Sequence, residues 1–127
     1  MMATDARWLL LEPDALLRRT VALTARSLSL GDVSEATRGA EARAQMRTTR
    51  FKAGILALDG SPDGLLDLAL LDEWQATQGA GGGTVAVMLR TCTPTLLAAL
   101  SERGVRRVIV KPFRARVLLD TLDVLLN

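Results

Sequence analysis

The residues that could do chemistry stand just after apolar runs. Glu12 and Asp14 follow Trp8-Leu9-Leu10-Leu11, Asp59 follows the run ending at Leu58, Thr91 follows Val85-Ala86-Val87-Met88-Leu89, and Lys111 follows Val105 to Val110. Carboxylates that converge with a hydroxyl and an ammonium are the set that aspartyl-phosphate chemistry uses. The acids hold Mg²⁺ and supply a nucleophile, while Thr and Lys bind the phosphoryl oxygens. Other chemistries are removed by inventory. There is no His and only one Cys, Cys92, so zinc sites, Cys-His nucleophiles, Ser-His-Asp triads and a histidine phosphoacceptor are excluded.

These residues need a frame that brings strand ends together. The 127 residues, 49% hydrophobic and 24% charged, suit one domain able to bury its own core, with 7–126 as the folded part and 1–6 as a flexible N-terminus. No apolar run reaches the ~18 residues a membrane span needs, and the start has no basic-then-apolar leader pattern, so a cytoplasmic location is expected. Strand patterns, apolar runs at Trp8–Leu11, 53–58, Val85–Leu89 and Val105–Val110 and a weaker candidate at 32–36, alternate with helical patterns. The first helix carries Leu16, Leu17, Val21, Leu23 and Leu28 at helical spacing. The second runs from Ala40 to Arg47 behind a Thr37 cap, the third from Leu65 through Trp74, the fourth from Pro94 to Glu102, and the last carries Val117 to Leu126. Continuous apolar strands alternating with helices predict an α/β, doubly wound (βα)5 three-layer sandwich with a parallel sheet. Ligands of such a sheet gather at the carboxyl ends of the strands.

Several other features read as structure. Gly79 to Gly83 precedes a strand and lacks the Lys and Ser/Thr of a phosphate cradle, so it reads as a flexible loop. Trp8 and Trp74 read as core, Cys92 as a passive loop thiol, and Asp67, Asp72, Glu73, Asp120 and Asp123 as solvated helix faces.

The chain resembles the receiver domains of two-component response regulators, the CheY-like family. Leu9-Leu10-Leu11-Glu12-Pro13-Asp14-Ala15-Leu16-Leu17-Arg18-Arg19 is similar to the family's first strand, acidic pair and first helix. Ala36-Thr37-Arg38-Gly39-Ala40-Glu41-Ala42 is similar to its second-strand exit, and Gly104 with Lys111-Pro112-Phe113 to its last strand and Lys-Pro signature. The resemblance implies a flavodoxin-like sheet in the order 2-1-3-4-5. It also implies a phosphorelay signalling role in bacteria, a histidine kinase or phosphotransfer protein as donor, a downstream effector protein, and a homodimer as one assembly. No catalysis is implied beyond self-phosphorylation and dephosphorylation. In its terms Asp59 is the phosphoacceptor candidate, Thr91 and Lys111 contact phosphate, and Glu12 and Asp14 hold Mg²⁺.

The sequence departs from the family at three places. Pro13 replaces the second acid, so Mg²⁺ is expected to bind weakly or not at all. Counting from Phe51 puts the acceptor position on Ala57, so Asp59 requires a slip of two residues, and Arg90 competes with Thr91. Val108 stands where the family often has a switching aromatic. Together these predict a pseudo-receiver acting by protein contacts, with atypical, weak or absent phosphorylation.

A second reading starts from charge. Arg103, Arg106, Arg107, Arg114 and Arg116 lie around the last strand, and arginine forks suit carboxylate or phosphate. The net charge of +2 is too small to indicate direct nucleic-acid binding. The resemblance offers cyclic di-GMP or another nucleotide as a ligand of this face, independent of phosphorylation.

Overall fold

The computed structural model describes residues 7–29, 31–61, 64–79 and 83–126. The N-terminal segment 1–6, the middle of the glycine stretch at 80–82, and Pro62 and Asp63 in the loop after Asp59 lie outside the described residues. The elements alternate as β1 (Trp8–Leu11), α1 (Ala15–Ser27), β2 (Val33–Ala36), α2 (Gly39–Thr48), β3 (Ala53–Ala57), α3 (Leu68–Gln78), β4 (Thr84–Leu89), α4 (Pro94–Glu102), β5 (Val105–Val110) and α5 (Ala115–Leu126). All strand pairs are parallel and the sheet order is β2-β1-β3-β4-β5, as predicted.

Strand alternation divides the core in two. Leu9 and Leu11 of β1 and Leu56 of β3 face α2, α3 and α4, where they meet Met46, Leu70, Leu71, Trp74 and Leu100. Trp8, Leu10, Ile55 and Ala57 face α1 and α5, where they meet Val21, Ala22, Leu118 and Leu122. The central strands are therefore apolar on both faces, the pattern of a sheet covered on each side by helices. Trp8 and Trp74 are both buried, as expected.

Helix faces were less legible than helix positions. α1 turns Val21, Ala22 and Ala25 into the core, while Leu16, Leu23 and Leu28 are exposed. The small residues allow the helix to lie close to the sheet, so leucine spacing alone selected part of the wrong stripe. α2 begins at Gly39, with Arg38 rather than Thr37 in the N-cap position and no side-chain cap there. Thr37 works one residue earlier, its hydroxyl and amide both donating to the Glu41 carboxylate. Those bonds hold the Glu41 carboxyl below its usual range, the hydroxyl contributing most.

α3 starts at Leu68, not Leu65. The preceding residues are held by Asp67, whose N–H donates to the Leu58 carbonyl at 3.0 Å and whose carboxylate takes a two-pronged bond from Arg43 at 2.7 and 3.0 Å. Arg43 also donates to Glu73, and Asp72 accepts from Arg103 at 3.2 Å. Asp67 and Glu73 are thus part-buried ion-pair partners between elements, which corrects their reading as solvated, whereas Asp72 pairs with Arg103 and stays solvent-exposed as expected. The Arg43 guanidinium is held above its usual range chiefly by its bonds to Asp67.

At the far end of α4, Gly104 takes φ +78° and its N–H bonds to the Ser101 carbonyl at 3.0 Å. That left-handed turn is strained for any residue with a Cβ, and it sends the chain directly into β5.

Candidate functional site

At the carboxyl edge of the sheet, β1, β3, β4 and β5 end side by side and deliver Glu12, Asp59, Arg90 and Lys111 to one place. Glu12 follows the buried strand β1 and is itself only 2% exposed. Beyond Ala57 the chain bends at Leu58 and Asp59, although the Leu58 N–H still bonds to the Met88 carbonyl at 3.3 Å. Asp59 thereby lies beyond the end of the sheet, whereas Ala57 is buried in the α1–α5 core. Counting from Phe51 to Ala57 lands inside the strand, and the carboxylate that joins Lys111 is that of Asp59.

Lys111 holds two acids at once. Its Nζ donates to Glu12 Oε1 at 3.0 Å and to Asp59 Oδ1 at 3.0 Å. The Lys111–Pro112 peptide bond is cis. The remaining oxygens are also occupied: Glu12 Oε2 accepts from the Asp14 N–H at 2.9 Å, and Asp59 Oδ2 accepts from the Arg90 N–H at 2.9 Å. The Arg90 guanidinium lies 4.0 Å from Asp59 Oδ2 with its side chain 80% exposed. Arg18 Nη1 donates to the Glu12 carbonyl at 2.9 Å, tying α1 to the end of β1.

Other predicted residues take different places. Asp14 caps α1, its Oδ1 accepting from the Leu17 N–H at 2.9 Å, and the residue lines the same cavity as Glu12 and Lys111. Thr91 is exposed, and among the described residues no hydrogen bond joins its hydroxyl to Asp59 or Lys111. The backbone contact from this end of β4 comes from Arg90, a role that side-chain spacing cannot reveal. Pro13 fills the position of the missing acid and packs against Gly60, where a Cβ would lie 2.4 Å from Pro13 Cγ. Val108, at the position where the family often has an aromatic, is partly buried against the α2–α4 core.

The residues present do not fit a magnesium ion. Mg²⁺ demands octahedral oxygen ligation and sheds its waters reluctantly. Here both oxygens of Glu12 and both of Asp59 already have donors, Asp14 gives its Oδ1 to the start of α1, and Pro13 offers no side-chain ligand. Among the described residues no group of three acidic, His or Cys side chains is placed to hold a metal.

Beside Glu12 and Lys111 a cavity of about 430 Å³ opens, lined also by Asp14, Leu17 of α1, Arg90, Pro112 and Phe113. The five arginines assigned to a single face are not gathered there or anywhere else. Arg103, before β5, is turned to Asp72 of α3, whereas Arg114 and Arg116 follow β5, whose six residues separate them by roughly 20 Å. Arg106 and Arg107 are both exposed because the β4–β5 register slips between Val85 and Ala86, leaving Arg106 as an extra residue.

A five-stranded parallel sheet in this order, with acids and a lysine at its carboxyl edge, is the architecture of the CheY-like receiver domains. The chain has their fold. It is similar to a response regulator receiver protein from Pseudomonas putida, with 20% identity, 96% of this chain and 98% of that one covered, and a TM-score of 0.80. It is similar to a CheY-like response regulator receiver domain protein from Methanospirillum hungatei JF-1, with 15% identity, coverage of 94% and 92%, and a TM-score of 0.79. It is also similar to the receiver domain of a sensor histidine kinase from Pseudomonas aeruginosa PAO1, which has a magnesium ion coordinated in its active-site cleft. That likeness has 17% identity, coverage of 97% and 98%, and a TM-score of 0.77. No protein-family model and no curated protein sequence matches the chain. Among the described residues no helix is long and apolar enough to cross a membrane.

Proposed function

We propose that the protein is a receiver-type signalling module of a two-component phosphorelay, working through protein contacts rather than through efficient phosphorylation. The observation that carries this is the placement of Asp59 and Glu12, each 3.0 Å from the Lys111 ammonium, at the sheet edge where ligands of this fold bind. Asp59 is the candidate acceptor. In a transfer, an Asp59 carboxylate oxygen would attack phosphorus and the donor, a phosphohistidine or a small acyl phosphate, would leave with the bonding electron pair. Lys111 is placed to meet the incoming oxygens. A metal finds few ligands there, because Pro13 offers no side-chain oxygen and Asp14 Oδ1 is bonded to the start of α1, and the acids are already held by fixed cations. Slow or partial transfer follows. The partners proposed are a histidine kinase or phosphotransfer protein and a downstream effector protein, with a cytoplasmic location.

The nucleotide reading draws less support, since Arg103 is already paired with Asp72 and stands at the opposite end of β5 from Arg114 and Arg116.

Intact-mass spectrometry after incubation with Mg²⁺ and acetyl phosphate tests the reading. The expected result is a minor phosphorylated fraction that Asp59→Asn removes. Near-complete labelling would identify an efficient phosphoacceptor and overturn the proposal, and so would a label that survives Asp59→Asn.

A further inference from the structure

Three features of the carboxyl edge belong together. A buried ammonium bridges two carboxylates, a guanidinium stands at the mouth of the same site, and a proline occupies the place beside Glu12 from which a third acid could reach them. Glu12 and Asp59 contribute two negative charges, Lys111 and Arg90 two positive ones. The sum is zero. A divalent cation entering this site would have to displace the Lys111 ammonium from both acids and approach the Arg90 guanidinium at close range. In return it would gain only the two oxygens that Lys111 gives up, one from each acid, while the other oxygen of each acid stays bonded to a backbone N–H.

We infer that this site has replaced a divalent metal with the protein's own cations, Lys111 as the bridging charge and Arg90 as the outer one, and that it works without Mg²⁺. The inference rests on the receiver reading of the fold but concerns the cation alone. A metal-independent site and an inefficient phosphoacceptor fail separately, the first in a binding titration and the second in a labelling experiment. Pro13 is the residue that decides. It adjoins Glu12 and packs on Gly60, next to Asp59, so a carboxylate in its place would join the two acids from the third direction. Three acids against two cations would leave a net negative site, which is what a hard divalent cation requires.

The experiment is a calorimetric titration of the full chain with MgCl₂, repeated with MnCl₂ by water-proton relaxation, on the wild type and on Pro13→Asp. Circular dichroism melting confirms that the variant is folded. The wild type is expected to show no saturable binding up to about 10 mM of either ion, whereas Pro13→Asp binds at least about tenfold more tightly. Saturation of the wild type near or below about 1 mM would overturn the inference whatever the variant does. A folded Pro13→Asp that binds no better than the wild type would also overturn it, since the lost acid would not be what closed the site to metal.

Discussion

Lys111→Met is expected to destabilise the protein by about 3–5 kcal/mol, because it leaves a carboxylate without its counterion in a water-poor site. The Glu12 side chain is 3% exposed and that of Lys111 10%, so solvent cannot take over the lost contact. Asp59, at 14%, is better placed to turn outward. The loss should therefore fall mainly on Glu12, and Glu12→Gln added to Lys111→Met should recover most of it, since a neutral amide carries no stranded charge. Glu12→Gln alone leaves Lys111 paired with Asp59 and should cost less than Lys111→Met. A double-mutant cycle by urea denaturation measures the coupling between the two side chains. Additive effects would mean that the bridge carries no coupling energy.

The second large effect lies on the opposite side of the sheet. Trp74→Ala should cost about 3–5 kcal/mol, a large share of the stability of a domain of this size. Trp74 is fully buried between α3 and β3, and its ring lies against Phe51 with centroids 6.3 Å apart. Gly54 of β3 leaves the ring its space, since a Cβ there would come within 2.6 Å of it. The indole N–H donates to the Gly83 carbonyl at 3.3 Å, fastening the end of the glycine stretch to α3. Truncation thus opens a cavity against a strand that has no side chain to fill it, and frees the entry to β4. The denaturation midpoint should fall with little change in slope; an unchanged midpoint would show that the helix can settle into the gap.

The fold was legible because its signals are redundant. Each central strand is an uninterrupted apolar run, each is followed by turn residues, and the helices between them have periodic apolar positions. The bounds of α4 and β5 were readable to the residue, since Thr93-Pro94 and Gly104 carry the cap chemistry that starts one element and ends it. Site identities were legible more coarsely. Lys111 could be placed from its Pro neighbour, and Glu12 from the run before it. Asp59 was ambiguous because whether Ala57 or Asp59 clears the sheet depends on how far β3 stays paired, and that is fixed by register with β4 rather than by local sequence. The Arg90 amide on Asp59 and the commitment of Asp14 to α1 were not legible at all as site geometry. A backbone donor has no residue signature, and an acidic side chain looks the same in a sequence whether it caps a helix or faces a ligand. The same holds for Arg43, Asp67 and Glu73, which join α2 to α3 across a long stretch of chain and steady the loop that carries Asp59.

The central claim is that this receiver-fold site is held by its own cations and is thereby a poor phosphoacceptor. The most direct measurement is the phosphorylated fraction, by intact mass, of wild type and Pro13→Asp side by side in Mg²⁺ and acetyl phosphate. The account predicts a small fraction for the wild type and one larger by about tenfold or more in initial rate for Pro13→Asp, abolished when Asp59→Asn is added. Equal and rapid labelling of the two proteins would contradict it.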